Sequence, residues 1–137
     1  MKTIVTIIAL STATLCHASD REAVAAVLCA EAGISGRAGM EAVFEVVLTR
    51  AAEKKTTALA VVTKRKAFSC LNGRTIDGLL AEFRGTPVFR TALNIVNSPP
   101  TNRTGGSNHY HHVSVRPRWA IGATRVAEIG AHVFLKL

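Results

Sequence analysis

Apolar residues in the first two thirds of the chain recur at helical intervals. Val24, Val27 and Leu28 stand at i, i+3 and i+4, and Glu31 completes the series at i+7. Ser19-Asp20-Arg21-Glu22 reads as a capping box, serine at the N-cap and glutamate three on, opening a helix through Ala32. Gly33 stops it, and Gly33 to Gly36 reads as a loop. A second helix runs from about Arg37 into Glu53-Lys54-Lys55, with Met40, Val43, Phe44, Val47, Leu48 and Ala51 as its apolar stripe. Glu41 and Glu45 fall on the opposite side and read as a solvated face, Arg37 pairing with Glu41 at i+4.

A short helix follows at Thr56 to Val62, then a basic link, Lys64 to Lys66, and a loop from Phe68 to Gly73. Further helices are expected at about Ile76 to Phe83 and Val88 to Val96, the second started by Thr86-Pro87. Ser98-Pro99-Pro100 through Gly105-Gly106 is a non-helical connection. Beyond it the composition turns to β-formers, at His109 to Val115 and again over Ala127 to Leu137. Helices first and a small C-terminal β region last give an α+β fold, mostly α.

The N-terminus adds a destination. Residues 1–18 carry one positive charge at Lys2, an apolar run from Ile4 to Leu15 and small residues before Ser19. That is the pattern of a secretory signal peptide, cut after Ala18. It is short for a membrane span, so a periplasmic or secreted protein without stable membrane insertion is expected. What remains, 137 − 18 = 119 residues, is enough for one domain over residues 19–137 and one core. A monomer is expected. Losing Lys2 lowers the net charge from +8 to +7, and the basic residues are spread along the chain. A dispersed surplus of this kind suits an acidic cell envelope. Neither aromatic-basic interleaving nor an arginine-rich helix face points to nucleic acid.

Cys29 and Cys70 remain after signal removal. In an oxidising compartment they are expected to form a disulfide, closing a loop of about 40 residues worth about 3–4 kcal/mol.

The chemistry centres on Glu31. A carboxylate on an inward stripe loses hydration, which favours holding a proton and suits a general acid. Asp20, Glu22, Asp77 and Glu82 have no comparable position. A glycosidase with two carboxyls is therefore less favoured than a single acid that lets the substrate supply the nucleophile, as a lytic transglycosylase does. Asn108, His109, Tyr110, His111 and Trp119 are flat hydrogen-bonding side chains of the kind that line a sugar cleft. Two other readings of the histidines stay open, a metal site and a packing cluster. The first would serve amidase or nuclease chemistry but lacks a third ligand at metal-binding spacing, so no metal and no cofactor is expected.

Several segments in order carry a resemblance: Ala30-Glu31-Ala32; Gly39 to Val43 with Val46 to Arg50; Phe68-Ser69-Cys70; Gly106 to His111 with Pro117 to Ala120; and Ile129 to Phe134. Together they resemble the cell-wall hydrolase family of the spore-cortex-lytic enzymes over essentially the whole mature chain. The resemblance implies a lysozyme-like domain acting on peptidoglycan glycan strands. It implies cleavage between N-acetylmuramic acid and N-acetylglucosamine with anhydro-sugar formation, no obligatory cofactor, and Glu31 as the catalytic acid. It also implies that Phe68 and Ser69 border the groove beside Asn108, His109, Tyr110, His111 and Trp119. Three positions depart from the family pattern: Gly33-Ile34-Ser35 replaces Arg-Gly-Glu, Ala67 a glutamine, and Thr49 an asparagine. These departures keep a second class open, a wall-binding or inhibitory module without turnover.

Overall fold

The computed structural model describes residues 18–64 and 67–137. Most of the expected signal peptide, residues 1–17, and Arg65-Lys66 of the basic link lie outside the described residues.

Helix α1, Ala18–Ala32, is the axis of the domain. Every residue from Ala23 to Cys29 is buried, not only the Val24, Val27, Leu28 stripe. Alanines at 23, 25 and 26 keep the remaining faces thin, so α2 (Gly36–Glu53), α4 (Ile76–Phe83) and α5 (Pro87–Val96) all close onto it. Because α1 begins at Ala18, Ser19 stands inside the first turn and not ahead of it as the capping box required. A 3-10 turn, Gly33–Ser35, replaces the expected loop before α2. The short α3 spans Ala58–Thr63. Thr57, Thr75 and Thr86 start α3, α4 and α5, their hydroxyls accepting from the amides of Ala60, Gly78 and Phe89 at 3.0–3.2 Å. Such caps contribute about 1 kcal/mol each.

The β region is a three-stranded antiparallel sheet of β1 (His109–His112), β2 (Thr124–Ile129) and β3 (His132–Lys136), in the order β1-β3-β2. The last apolar stretch is therefore two strands and a turn, with Ala127 paired to Phe134 and Ile129 to His132. Gly130 makes the turn possible. Its φ is +57°, and a Cβ there would lie 2.5 Å from the Ser35 side chain, so both conformation and space exclude a larger residue. In the central strand Val133, Phe134 and Leu135 are all buried, and Phe134 joins Leu28, Met40, Leu79 and Phe68 in the core.

The reading of Glu41 and Glu45 as a solvated face is overturned. They are only 5% and 6% exposed. Arg37 does pair with Glu41, Nε to Oε1 at 2.6 Å, and Arg103 completes the pair from the far side, Nε to Oε2 at 2.6 Å. Glu45 accepts four hydrogen bonds, from the Thr101 and Thr104 hydroxyls and the Arg103 and Thr104 amides. Helical periodicity places these carboxylates away from α1, but the 97–107 connection folds back over them. Buried carboxylates need such partners, and here the chain itself supplies them.

Candidate active site

The C-terminal turn of α1 delivers Glu31 to the wall of a cavity of about 1070 Å³. Two segments remote in sequence converge on it. The 3-10 turn Ser69–Leu71 presents the Cys70 amide, which donates to Glu31 Oε1 at 3.2 Å. Strand β1 presents Tyr110, whose phenol donates to Oε2 at 2.6 Å across 79 residues of chain. Each carboxyl oxygen thus accepts a hydrogen bond, and the side chain is half-buried. Tyr110 is held in turn by Phe134, with ring centroids 5.7 Å apart, and by His132, edge-on at 5.0 Å. Burial, followed by the Glu31 charge and hydrogen bond, pushes the Tyr110 phenol well above the usual 10. It therefore stays a donor at any working pH.

Strand alternation sorts the rest of β1. His109 and His111 face one way, against Trp119 at 5.2 and 5.8 Å. Tyr110 and His112 face the other, towards His132, which lies 6.0 Å from His112. Burial is the first cause holding His132 below the ordinary 6.5, opposed by Glu31 and assisted by His112 and His111. Among the described residues no three His, Cys, Asp or Glu side chains converge to hold a metal ion.

The expected substrate residues divide. Ser69 and His111 line the Glu31 cavity, and Tyr110 lines both this one and a second cavity of about 910 Å³. His109, Asn108 and Trp119 line the second. The Asn108 amide is already committed, donating to Glu53 and the Leu137 carbonyl and accepting from the Leu137 amide. Phe68 does not border the groove. It is 2% exposed and packs beneath Tyr110, with the Arg50 guanidinium 5.7 Å over its ring. The aromatic-serine pair thus splits into a core anchor and a cavity-lining residue. Arg50, which the sequence reading did not single out, lines both cavities and is fixed by donating to the Asn108 carbonyl at 2.7 Å. The available signal was its spacing, because Arg50 stands at i+7 from Val43 and i+3 from Val47, on the apolar stripe of α2.

The expected disulfide is also corrected, because Cys29 and Cys70 are both free thiols. Burial pushes Cys29 up to about 11. Burial, then the charge of Glu31 and a hydrogen bond to it, pushes Cys70 up to about 12. Thiolate is scarce at both, so neither is poised for exchange. The chain from Ser19 onward, unfolded without reductant, is expected to titrate two thiols; a mass lower by two hydrogens would contradict this.

Only two carboxyls line the larger cavity among the described residues, Glu31 and Glu82. Glu82 is paired with Arg74, whereas Glu31 makes no ion pair among the described residues. The cavity therefore holds one carboxyl that is oriented by neutral donors and free to exchange a proton with something bound beside it.

A search of curated proteins gave no significant match. Among solved structures, the fold resembles the catalytic domain of the Bacillus cereus SleB protein, with a TM-score of 0.67 and 21% identity over 86% of this chain and 90% of that one. It also resembles the catalytic domain of the germination-specific lytic transglycosylase SleB from Bacillus anthracis, with a TM-score of 0.69 and 21% identity over 88% of this chain and 96% of that one. The Cell Wall Hydrolase family model matches residues 35–135, beginning just after Glu31 and taking in the Cys70 turn, β1, β2 and all of β3 but Lys136. With a match over most of its length, this chain belongs to the Cell Wall Hydrolase family.

Proposed function

We propose that this protein cleaves the bond between N-acetylmuramic acid and N-acetylglucosamine in peptidoglycan, as a lytic transglycosylase with Glu31 as its general acid and base. The observation that carries the reading is a carboxyl at a sugar-sized cavity that makes no ion pair among the described residues and is held by Tyr110 and the Cys70 amide. Glu31 gives its proton to the glycosidic oxygen as the bond to the anomeric carbon breaks. The carboxylate left behind is stabilised by the Tyr110 phenol and the Cys70 N–H. It then takes the proton from a hydroxyl of the same muramyl sugar as that oxygen closes onto the anomeric carbon. The proton count balances, Glu31 is regenerated, and no water is consumed. A second carboxylate is not needed.

Ser69, His111, His109 and Trp119 are the proposed sugar-contacting side chains, with Phe68 and Asn108 acting through packing and hydrogen bonds. Export by a signal peptide cut after Ala18, and action as a monomer, belong to the same proposal. Peptidoglycan lies outside the cytoplasm, which accords with the apolar N-terminal segment.

Mass spectrometry of digested sacculi tests the chemistry. Anhydro-muropeptides are the expected products; reducing-end sugars would mean that water is the nucleophile.

A further inference from the structure

The second cavity meets the Glu31 cavity at Arg50, Ala67 and Tyr110, which line both. Of these, Ala67 is the smallest, its side chain ending at Cβ. The floor of the second cavity comes from the last turn of α2, which supplies Arg50 and Glu53, and from Lys54 just after it. Lys64, the residue that ends α3, joins them. Trp119 and His109, ring against ring at 5.2 Å, belong to the same cavity. Arg50, Lys54 and Lys64 thus stand against one lining carboxylate, Glu53, which already accepts a hydrogen bond from the Asn108 amide.

The two lysines are neighbours. Close side-chain contact with Lys64, then its charge, lowers the pKa of Lys54 below the ordinary 10.5. The C-terminal ends of α2 and α3 each attract a cation, and the fold brings both lysines to the lining of one cavity. Like charges at contact repel, and an anion placed between them turns that repulsion into attraction.

We infer that this cavity binds a carboxylate of the acidic peptide stem carried by the glycan strand, with Lys54 and Lys64 as its anion ligands and Trp119 as its apolar wall. The inference rests on the proposed reaction on peptidoglycan. The stem hangs from the muramyl sugar, one partner in the bond that Glu31 would cleave. A stem leaving that sugar has a path past Ala67 and Tyr110 into the basic cavity. Two charge-assisted hydrogen bonds at an exposed site give a roughly tenfold gain in kcat/KM for stem-bearing strands.

Two measurements on the Lys54→Gln/Lys64→Gln double variant test it. The first compares kcat/KM on glycan strands with intact stems and on strands stripped of stems by an amidase. The wild type is expected to prefer stem-bearing strands roughly tenfold, and the variant to show a ratio near one. The second follows Trp119, the only tryptophan in the chain, during titration with a free stem tripeptide. Emission should change saturably for the wild type, and should not respond in the variant or with the fully amidated peptide. Equal wild-type rates on both strands with no Trp119 response would overturn the inference, as would a response confined to phosphate-bearing wall polymers. A saturable peptide titration without any strand cleavage would instead sustain the stem site and reject the proposed reaction.

Discussion

Glu31→Gln is expected to fold as the parent does and to release no soluble fragments from purified sacculi. The amide is isosteric with the carboxyl, and its oxygen can still accept from the Tyr110 phenol. Its nitrogen cannot accept from the Cys70 amide, so one hydrogen bond goes, at about 1 kcal/mol. Thermal unfolding should move by only a few degrees. Activity is another matter. General acid catalysis contributes about 10²–10⁴-fold, and here the same group is needed again as base, so a fall of at least about 10³-fold is expected. Turbidity clearing at the wild-type rate would remove Glu31 from the mechanism. Intact binding to sacculi with no clearing by the wild type would favour the wall-binding alternative.

Glu45→Ala should damage the fold and spare the chemistry of whatever remains folded. The carboxylate is 6% exposed and accepts from two hydroxyls and two backbone amides of the 101–104 segment. Truncation strands those donors beside Glu41 and Arg103, and breaking such a buried network costs about 3–5 kcal/mol. Against a total stability of about 5–15 kcal/mol for a domain of this kind, that is a large fraction. Urea unfolding of the two proteins provides the comparison; a difference below about 1 kcal/mol would show that water replaces the lost acceptor. The same network carries an acid sensitivity. Burial pushes the Glu41 carboxyl up, but hydrogen bonds and charge from Arg103 and Arg37 more than offset it, and it lies below the ordinary 4.5. The folded state therefore binds this proton less readily than the unfolded chain does. Its contribution to stability is present above pH 4.5 and is lost as pH falls through the folded value.

The two predictions separate site from scaffold, and the sequence was unequally informative about them. The helices were legible because each is specified by its own residues. The helix expected at Ile76 to Phe83 has both its ends there, and α5 starts at Pro87 behind the Thr86 cap. The place of Glu31 in the series from Val24 was legible for the same reason, since that series is local. Within β1, strand alternation is local in the same way, and it puts His109 and His111 on one face against Trp119. Phe68 was misread because it adjoins a cavity-lining serine, and only packing tells which of two adjacent residues turns inward.

From its sequence alone this protein could be read as an α+β domain, mostly α, with Glu31 as the acid to follow and a family resemblance to cell-wall hydrolases. Those conclusions depend on spacing within a turn or two and on short motifs, both written in consecutive residues. The tertiary structure decided everything that required two distant segments to meet. Tyr110 and the Cys70 amide on one carboxylate, the 97–107 connection closing over Glu41 and Glu45, and two free thiols where a disulfide was expected are of this kind. Local pattern sets which way a side chain leaves its own helix or strand. What waits for it there depends on how the other elements pack, and that is settled by the whole chain at once.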